Sequence, residues 1–389
     1  MKKYSRFLTL LTLLTAIILS VVLAGCGADD SQSSQESAMD EHLTGSMDLL
    51  YADQFHVDLY EDGISVISVE DGLDYLVTED PDGLPDWIDP AITEDMTVIC
   101  APSHKVYNAA SSAMDLIDAA GALDSVVMTS TQASDWSIDK IKELVENDKI
   151  RYIGKYRAPD YEALLEEDVD LAIESTMIYH SPQVKEAIEE LGIPVLVERS
   201  SYESEPLGRL EWIKLYGLLL GKSEEAQEFF DGAVAKLKEV DTDAISDTPS
   251  VAFFSVNSNG SVVVRKPGDY VTKMIEMAGG TYALSDITDE EDNALSTMNM
   301  QMEAFYDKTA DADILIYNST IEGGLDSIAE LTELSDSFSD FKAVKSGNVW
   351  CTDASTFQRT TGAADMILEM NRIFAGSSDE EMEYFHKLK

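Results

Sequence analysis

One long stretch of helical periodicity, from Glu198 to Val240, limits the folds that this chain can adopt. Apolar residues recur at a spacing that places them on one side of a helix. They are Leu210, Ile213, Tyr216, Leu220, Phe229, Phe230, Val234 and Leu237. A single helix of this length would span on the order of 45 Å and could join two lobes. A two-helix hairpin broken at Gly221–Ser223 is the alternative, and periodicity alone leaves both open.

Strand-like and helix-like segments alternate on both sides of this stretch. The first lobe is predicted to begin with the strand Val98–Cys100, followed by a helix over Tyr107–Ala120. Alternation of this kind predicts mostly parallel sheets. The fold class is therefore predicted to be α/β, with two α/β lobes joined by one long helix and a ligand cleft between them.

The two halves share a motif in which an aspartate precedes a buried strand. These aspartates are Asp170 and Asp313, and a short helix begun by Glu162 or Glu303 comes before each. Ligands of open α/β sheets bind beyond the carboxyl ends of the strands. The segments predicted to approach the cleft are Glu174–Thr176 and Asn318–Thr320.

The N-terminus is predicted to be an export signal over residues 1–25. Three basic residues precede the apolar run Phe7–Leu23, which is short for a stable membrane span. The run ends in Leu-Ala-Gly-Cys26, which resembles the bacterial lipobox, in which the cysteine is lipidated. Cys26 is therefore the predicted lipidation site. Residues 26–46 are rich in polar and acidic residues and are predicted to be a disordered tether.

Residues 47–94 are predicted to form a small β-rich addition. Short apolar runs are separated or ended by Asp-Gly pairs at 62–63, 71–72 and 82–83, which is typical of hairpins. The predicted order of units is then this addition, an N-terminal lobe over 95–205, an inter-lobe helix over 206–240 and a C-terminal lobe over 241–389.

Composition excludes several kinds of function. The chain has 74 acidic and 27 basic residues and a net charge of −47, which argues against electrostatic binding of nucleic acid or anionic lipid. Three cysteines are too few for a disulfide framework. Glycine-rich phosphate loops, zinc-protease patterns and a nucleophile elbow are absent from the sequence. We therefore expect no enzyme activity, no cofactor and no resident metal.

Taken together, the lipobox, the two α/β lobes and the helical connection resemble the substrate-binding lipoproteins of ABC importers. The likeness covers about residues 95–375 and is closest to the group with a helical backbone, which carries iron–siderophore complexes, haem or cobalamin. The segments that carry it are 152–162, Pro194–Tyr216, Ala278–Gly280 and Phe341–Val349. Residues 47–90 are not part of the common family core.

The resemblance implies a monomeric, lipid-anchored protein on the extracytoplasmic face of the cell membrane. It would capture a metal–organic chelate, an iron–siderophore complex or haem above all, and deliver it to ABC permease subunits. A corrinoid, a free metal ion and a surface lipoprotein enzyme remain as alternatives. In the family, one glutamate on each lobe docks to arginines of the permease, and the matching residues here are Glu162 and Glu303.

Candidate ligand-binding residues are cations, aromatic rings and one histidine near predicted strand ends. Arg199 and Tyr202 are favoured, because they lie where the first lobe passes into the helical stretch. An anionic chelate needs aromatic faces and a few cations in its cleft. The further candidates are Tyr107, Arg265, Arg359 and His104.

Overall fold

The structure, a computed structural model, describes residues 39–94, 96–287, 296–320, 322–376 and 382–389. The predicted signal peptide, Cys26 and residues 27–38 of the predicted tether lie outside the described residues. The described chain forms three sheets, with helices packed against them.

The first sheet belongs to the β-rich addition and has the strand order β1-β2-β3-β4-β5. Its strands are β1 (Leu43–Ser46), β2 (Phe55–Tyr60), β3 (Ser65–Val69), β4 (Leu73–Thr78) and β5 (Thr97–Cys100). The first four strands pair antiparallel, and the Asp-Gly turns at 62–63 and 71–72 join them as predicted. Gly63 and Gly72 have φ of 74° and 83°, a conformation that glycine adopts without steric cost.

Two strands of this sheet correct the sequence predictions. Strand β1 lies within the predicted tether, and it forms the edge of the sheet by pairing with β2. Strand β5 was expected to begin the first lobe but pairs in parallel with β4. The local pattern predicted correctly that β5 is a strand. It could not predict the sheet to which β5 belongs, because strand pairing depends on segments that are distant in sequence. The boundary at residue 94 stays a prediction, and β5 lies beyond it.

The second sheet forms the N-terminal lobe and is parallel throughout, with the order β10-β9-β6-β7-β8. Its strands are β6 (Val106–Asn108), β7 (Val126–Thr129), β8 (Arg151–Tyr152), β9 (Leu171–Ser175) and β10 (Val195–Glu198). Helix α1 (Pro90–Thr93) lies between strands β4 and β5 of the first sheet. The helices of the N-terminal lobe are α2 (Ser111–Ala119), α3 (Asp139–Glu146), α4 (Tyr161–Glu166) and α5 (Pro182–Glu190). The helix predicted to begin at Tyr107 begins at Ser111, because Val106–Asn108 pairs with strands on both sides.

The stretch between the lobes is a pair of helices, α6 (Pro206–Leu219) and α7 (Ser223–Lys236), rather than one long helix. Gly221, with φ of 68°, lies in the break. The two helices pack closely, since a Cβ added to Gly217 would lie 2.7 Å from that of Ala226. Further along, Nζ of Lys214 lies 4.4 Å from the ring centre of Phe230. The hairpin alternative is therefore the correct one.

Helix α6 is buried along almost its whole length. Its apolar residues join one core with helix α2, the β-rich addition, helix α7 and Ala364 of the C-terminal lobe. A helix with apolar contacts on every side lacks a polar face. Its central position explains why both lobes contact the same helix.

Two buried glutamates bind the β-rich addition to this helical connection. Glu211 accepts hydrogen bonds from the backbone N–H groups of residues 50, 51 and 52, at 2.7–3.0 Å. Glu203 accepts those of Asp53 and Gln54, at 3.0 and 3.1 Å. Lys214 also donates to Glu211, and the indole of Trp212 donates to Glu203. Glu203 and Glu211, here called the carboxylate clamp, thus fix five successive amides.

The third sheet forms the C-terminal lobe and has the order β14-β12-β11-β15-β16-β17, with β13 also paired to β11. Its strands are β11 (Ser250–Val256), β12 (Val262–Arg265), β13 (Thr281–Tyr282), β14 (Thr297–Met300), β15 (Ile314–Tyr317), β16 (Val349–Thr352) and β17 (Phe385–Lys387). Strands β11, β15 and β16 are parallel, and antiparallel strands flank them. The helices are α8 (Tyr270–Met277), α9 (Met302–Thr309), α10 (Ile328–Leu334), α11 (Lys342–Ser346) and α12 (Ala363–Phe374).

The shared aspartate motif has the same structural role in both lobes. Asp170 donates its N–H to the carbonyl of Lys105, directly before β6, and its carboxylate accepts the N–H of Lys105 at 3.1 Å. Asp313 donates its N–H to the carbonyl of Ser250 at the start of β11, and its carboxylate accepts the N–H of Ser250 at 2.9 Å. Each aspartate therefore secures the amino end of its strand to the neighbouring strand.

Candidate ligand-binding site

A cavity lies between the N-terminal half of helix α6 and the C-terminal lobe. It opens to solvent, and the unfilled space in and above it amounts to about 270 Å³. Residues from α6, α8, α12 and the segment after β16 surround it. They are Pro206, Arg209, Tyr270, Met274, Thr356, Phe357, Arg359, Thr360, Ala363 and Met366.

Three arginines and two aromatic rings lie in or beside this cavity. The guanidinium carbon of Arg209 lies 4.0 Å from the ring centre of Tyr270. That of Arg265 lies 4.5 Å from the ring centre of Phe357. Arg359 lines the cavity directly. Arg265 and Arg359, both predicted from the sequence, are thereby brought to the same region as Arg209.

Nearby carboxylates hold two of these arginines. Arg265 is buried, with Nη1 3.6 Å from Asp269 and 3.1 Å from the hydroxyl of Ser296. Burial raises the pKa of Asp269, while Arg265 and Arg209 act to lower it. Arg359 pairs with Glu383, and its Nε is buried without a hydrogen-bond partner. Oriented guanidinium groups beside aromatic faces suit an anionic ligand with planar groups.

Arg199 and Tyr202 do not line the cavity. The guanidinium of Arg199 donates to the side chain of Gln54 at 3.1 Å and lies 3.9 Å from Asp71. It also stacks over the ring of Tyr202, at 4.4 Å from the ring centre. Both residues thus lie against the β-rich addition. Their ligand-binding role stays a prediction that this placement does not favour.

His104 and Tyr107 lie at a distance from the arginine cluster in the fold. His104 is exposed and lies shortly before β6, at the amino end of that strand. It does not follow a strand of the lobe sheet, because the strand before it, β5, belongs to the first sheet. Its backbone N–H donates to Asp170 at 2.8 Å. Tyr107 is fully buried within β6, and its hydroxyl has no hydrogen-bond partner. Neither residue lines the cavity beside helix α6.

Glu174, at the end of β9, is a second unusual polar group. It is fully buried, and neither carboxylate oxygen has a hydrogen-bond partner. Burial raises the pKa of Glu174 to about 8. Burial also raises the pKa of Tyr107 and of Tyr161, and the nearby Glu174 raises both further. This carboxyl group is inside the lobe rather than exposed at the cleft.

The two predicted docking glutamates are exposed and occupy matching positions. Glu162 lies in the first turn of α4 and Glu303 in the first turn of α9. Each helix precedes the strand that begins after the shared aspartate. Both carboxylates can therefore reach a partner protein.

Arg209 was missed at the sequence level. It lies near the start of α6 and is not one of the candidate ligand-binding residues predicted from the sequence. The available signal was its position in the first turn of α6, next to the predicted cleft. Only the packing of α8 from the other lobe places Tyr270 against it.

In α/β proteins with two lobes, ligand pockets occur preferentially at the interface between domains. A model of the periplasmic binding protein family matches residues 108–356 of this chain. The chain therefore belongs to the periplasmic binding protein family, and the fold and family predicted from the sequence are confirmed.

Known relatives agree with this assignment. An uncharacterized lipoprotein of Methanocaldococcus jannaschii is 23% identical over 74% of this chain and 68% of its own length. A periplasmic haem-binding protein from Pseudomonas aeruginosa superposes with a TM-score of 0.55 and 18% identity, covering 74% of this chain and 98% of that one. For a petrobactin-binding protein from Bacillus subtilis the values are 0.55, 17%, 72% and 93%. At these identities the structural likeness shows the fold.

The helices and the metal-ligating side chains bear on membrane insertion and metal binding. Across the described ranges, no helix has the length and apolar character needed to cross a membrane. In the same part of the chain, no three His, Cys, Asp or Glu side chains are placed to hold a metal ion together.

Proposed function

We propose that this protein is the extracytoplasmic solute receptor of an ABC importer, anchored to the membrane through Cys26. Its family consists of solute-binding proteins, and relatives are named as lipoproteins. The lipobox-like sequence before Cys26 supports the anchor. Its role is to capture a solute outside the cell and present it to the permease.

The ligand that we propose is an anionic metal–organic chelate, such as an iron–siderophore complex or haem. The observation that carries this proposal is the grouping of three arginines with Tyr270 and Phe357: Arg209 and Arg359 line the cavity, and Arg265 stacks on Phe357 beside it. Guanidinium groups bind carboxylates and phosphates through paired hydrogen bonds, and aromatic rings pack against planar ligand groups. Solute-binding proteins of the same fold are named for haem and petrobactin.

A binding titration tests this ligand class. The mature protein is titrated with a ferric siderophore, haemin and cobalamin, and tryptophan quenching and ligand absorbance are recorded. We expect binding of an anionic chelate, and at least about tenfold weaker binding by R209A/R359A, because charged hydrogen bonds of about 1.5–3 kcal/mol are lost. The exposed Arg157 supplies a control, since R157A should bind as the wild type does. Equal affinity in all three proteins, or no response to any ligand, would overturn the ligand assignment.

Glu162 and Glu303 are the residues that we propose dock to the permease. Their exposure at matching helix starts in the two lobes supports this role. In E162R/E303R, uptake of the ligand by cells should be abolished while the affinity of the purified protein is unchanged. E166R reverses an exposed charge on the same helix α4 and should retain uptake. Loss of ligand binding in the double variant, or full uptake, contradicts the docking role.

A further inference from the structure

The segment between β16 and α12, residues 353–362, contacts both the cavity and the opposite lobe. Four of its residues line the cavity: Thr356, Phe357, Arg359 and Thr360. Gln358 and Thr361, on either side of Arg359, form hydrogen bonds with the N-terminal lobe. We call residues 353–362 the bridging segment.

The amide of Gln358 spans the gap between the lobes with both of its polar atoms. Its Nε2 donates to the backbone carbonyl of Asp135 at 2.8 Å. Its Oε1 accepts the backbone N–H of Ser137, also at 2.8 Å. These groups belong to the loop after β7, so the paired bonds fix the distance between two loops of different lobes.

A second set of bonds connects the bridging segment to helix α2. The carboxylate of Asp115 accepts the N–H of Thr361 at 2.8 Å and its hydroxyl at 2.6 Å. The hydroxyl of Thr360 lies 3.4 Å from the carbonyl of Ser112, as a donor. Hydrogen bonds to an ionised group are roughly twice as strong as neutral ones. Asp115 is therefore the stronger of the two attachments.

The bridging segment is itself held in one conformation by local bonds. Asp353 accepts the N–H and hydroxyl of Ser355 at 2.8 and 2.6 Å. The backbone N–H groups of Gln358 and Arg359 both donate to the carbonyl of Ser355, at 2.8 and 3.0 Å. A displacement of Gln358 or Thr361 is thus transmitted to Phe357 and Arg359 rather than absorbed by a loose loop.

We propose that Asp115 and Gln358 are positioning residues, which hold Phe357 and Arg359 at the cavity through contacts between the lobes. The role in ligand affinity rests on the proposed function as a solute receptor. Ligand binding and the contact between the lobes are then coupled through one ten-residue segment. Neither Asp115 nor Gln358 lines the cavity, so both act through other residues.

Hydrogen–deuterium exchange of the unliganded protein tests the bridging contacts. Q358A should raise exchange at the Ser137 amide about fivefold, and D115A should raise it at the Thr361 amide about tenfold, because each amide loses its acceptor. Q227A changes an exposed glutamine bonded within helix α7, and D118A changes an aspartate of α2 bonded to Lys140 of its own lobe. These controls should leave both amides unchanged. Unchanged exchange in Q358A and D115A overturns the bridging role.

Ligand affinity provides the second measurement and separates this inference from the proposed function. D115A should weaken binding of the ferric chelate about fivefold, and much less in the background of R359A, because Asp115 acts partly through Arg359. Raised exchange with unchanged affinity, or full additivity with R359A, overturns the positioning role. If the wild type binds no chelate, the proposed function is wrong, and the exchange measurement still decides the bridging role because it needs no ligand.

Discussion

The two lobes place very different residues at one matched position. Asp170 and Asp313 have the same role, and the strands that follow them pair in the same register with β6 and β11. Four residues beyond each aspartate lies a buried side chain, Glu174 in the N-terminal lobe and Tyr317 in the C-terminal lobe. The two side chains occupy equivalent places in the two lobes, but one is a carboxyl group and the other an aromatic ring.

The surroundings of these two residues explain what the fold requires. Tyr317 packs edge-on against Phe254, with ring centres 5.7 Å apart and an interplanar angle of 88°. Glu174 has no hydrogen-bond partner for either oxygen. The aspartate satisfies backbone groups in both lobes, whereas the later position only has to be filled. A buried carboxyl group there lowers stability whenever it is charged.

Replacing Glu174 should produce the largest effect on stability, and the size of that effect should depend on pH. Because its pKa is raised to about 8, the folded state holds a proton that the unfolded state releases above its ordinary pKa of roughly 4.5. The stability of the wild type relative to E174M should therefore fall as pH rises from about 5 to 8, by up to about 1.4 kcal/mol per pH unit. Denaturant unfolding between pH 5 and 8 measures it.

The exposed Glu166 supplies the control for this measurement. E166M should follow the pH dependence of the wild type. A difference between wild type and E174M that stays constant from pH 5 to 8 would show that Glu174 is partnered in solution.

Removing the shared aspartates should have an intermediate effect and rank the lobes. D170A leaves two backbone N–H groups, those of His104 and Lys105, without their acceptor and should cost about 2–3 kcal/mol. D313A leaves one, that of Ser250, and should cost about 1–2 kcal/mol. Chemical denaturation measures both, with the exposed D311A as control. A larger loss in D313A would contradict the backbone explanation.

Removing Lys342 should have the smallest effect. Its ammonium group lies 2.6 Å from Asp313, but the two side chains are 57% and 39% exposed. Lys342 lowers the pKa of Asp313, so the ion pair stabilises the fold above the ordinary aspartate pKa and is lost as pH falls through the lowered value. K342M should therefore lower stability only slightly at pH 7, because solvent screens the pair, and the loss should shrink as pH falls through the lowered pKa of Asp313. A loss as large as that of D313A would show that solvent screens the pair less than its exposure indicates.

Local patterns predicted much of the fold and failed at identifiable places. The alternation of strands and helices, the Asp-Gly hairpins and the shared aspartate motif are short-range features, and the structure contains them. The placement of β5 and the pairing of α6 with α7 depend on long-range packing. Helix α6 is apolar on most sides, so its periodicity could not distinguish a long helix from a hairpin.

The candidate site was predictable only in part, for the same reason. Arg265 ends β12 and Arg359 lies in the loop after β16, so both carried the local signal of a cation near a strand end. Their ligand-binding role stays a prediction. Arg199 gave the same signal, but residues 54 and 71 of the β-rich addition engage its side chain. Arg209 offered only its position near the start of α6, because its ring partner Tyr270 comes from the C-terminal lobe.

The carboxylate clamp has a consequence for the order in which the chain can fold. Leu50 and Glu211 are 161 residues apart in sequence, and Gln54 and Glu203 are 149 apart. A chain that emerges with its N-terminus first cannot close these contacts until the whole N-terminal lobe has followed. Long loops slow the formation of such contacts. Residues 50–54 therefore stay without these partners until residues 203–211 have been synthesised.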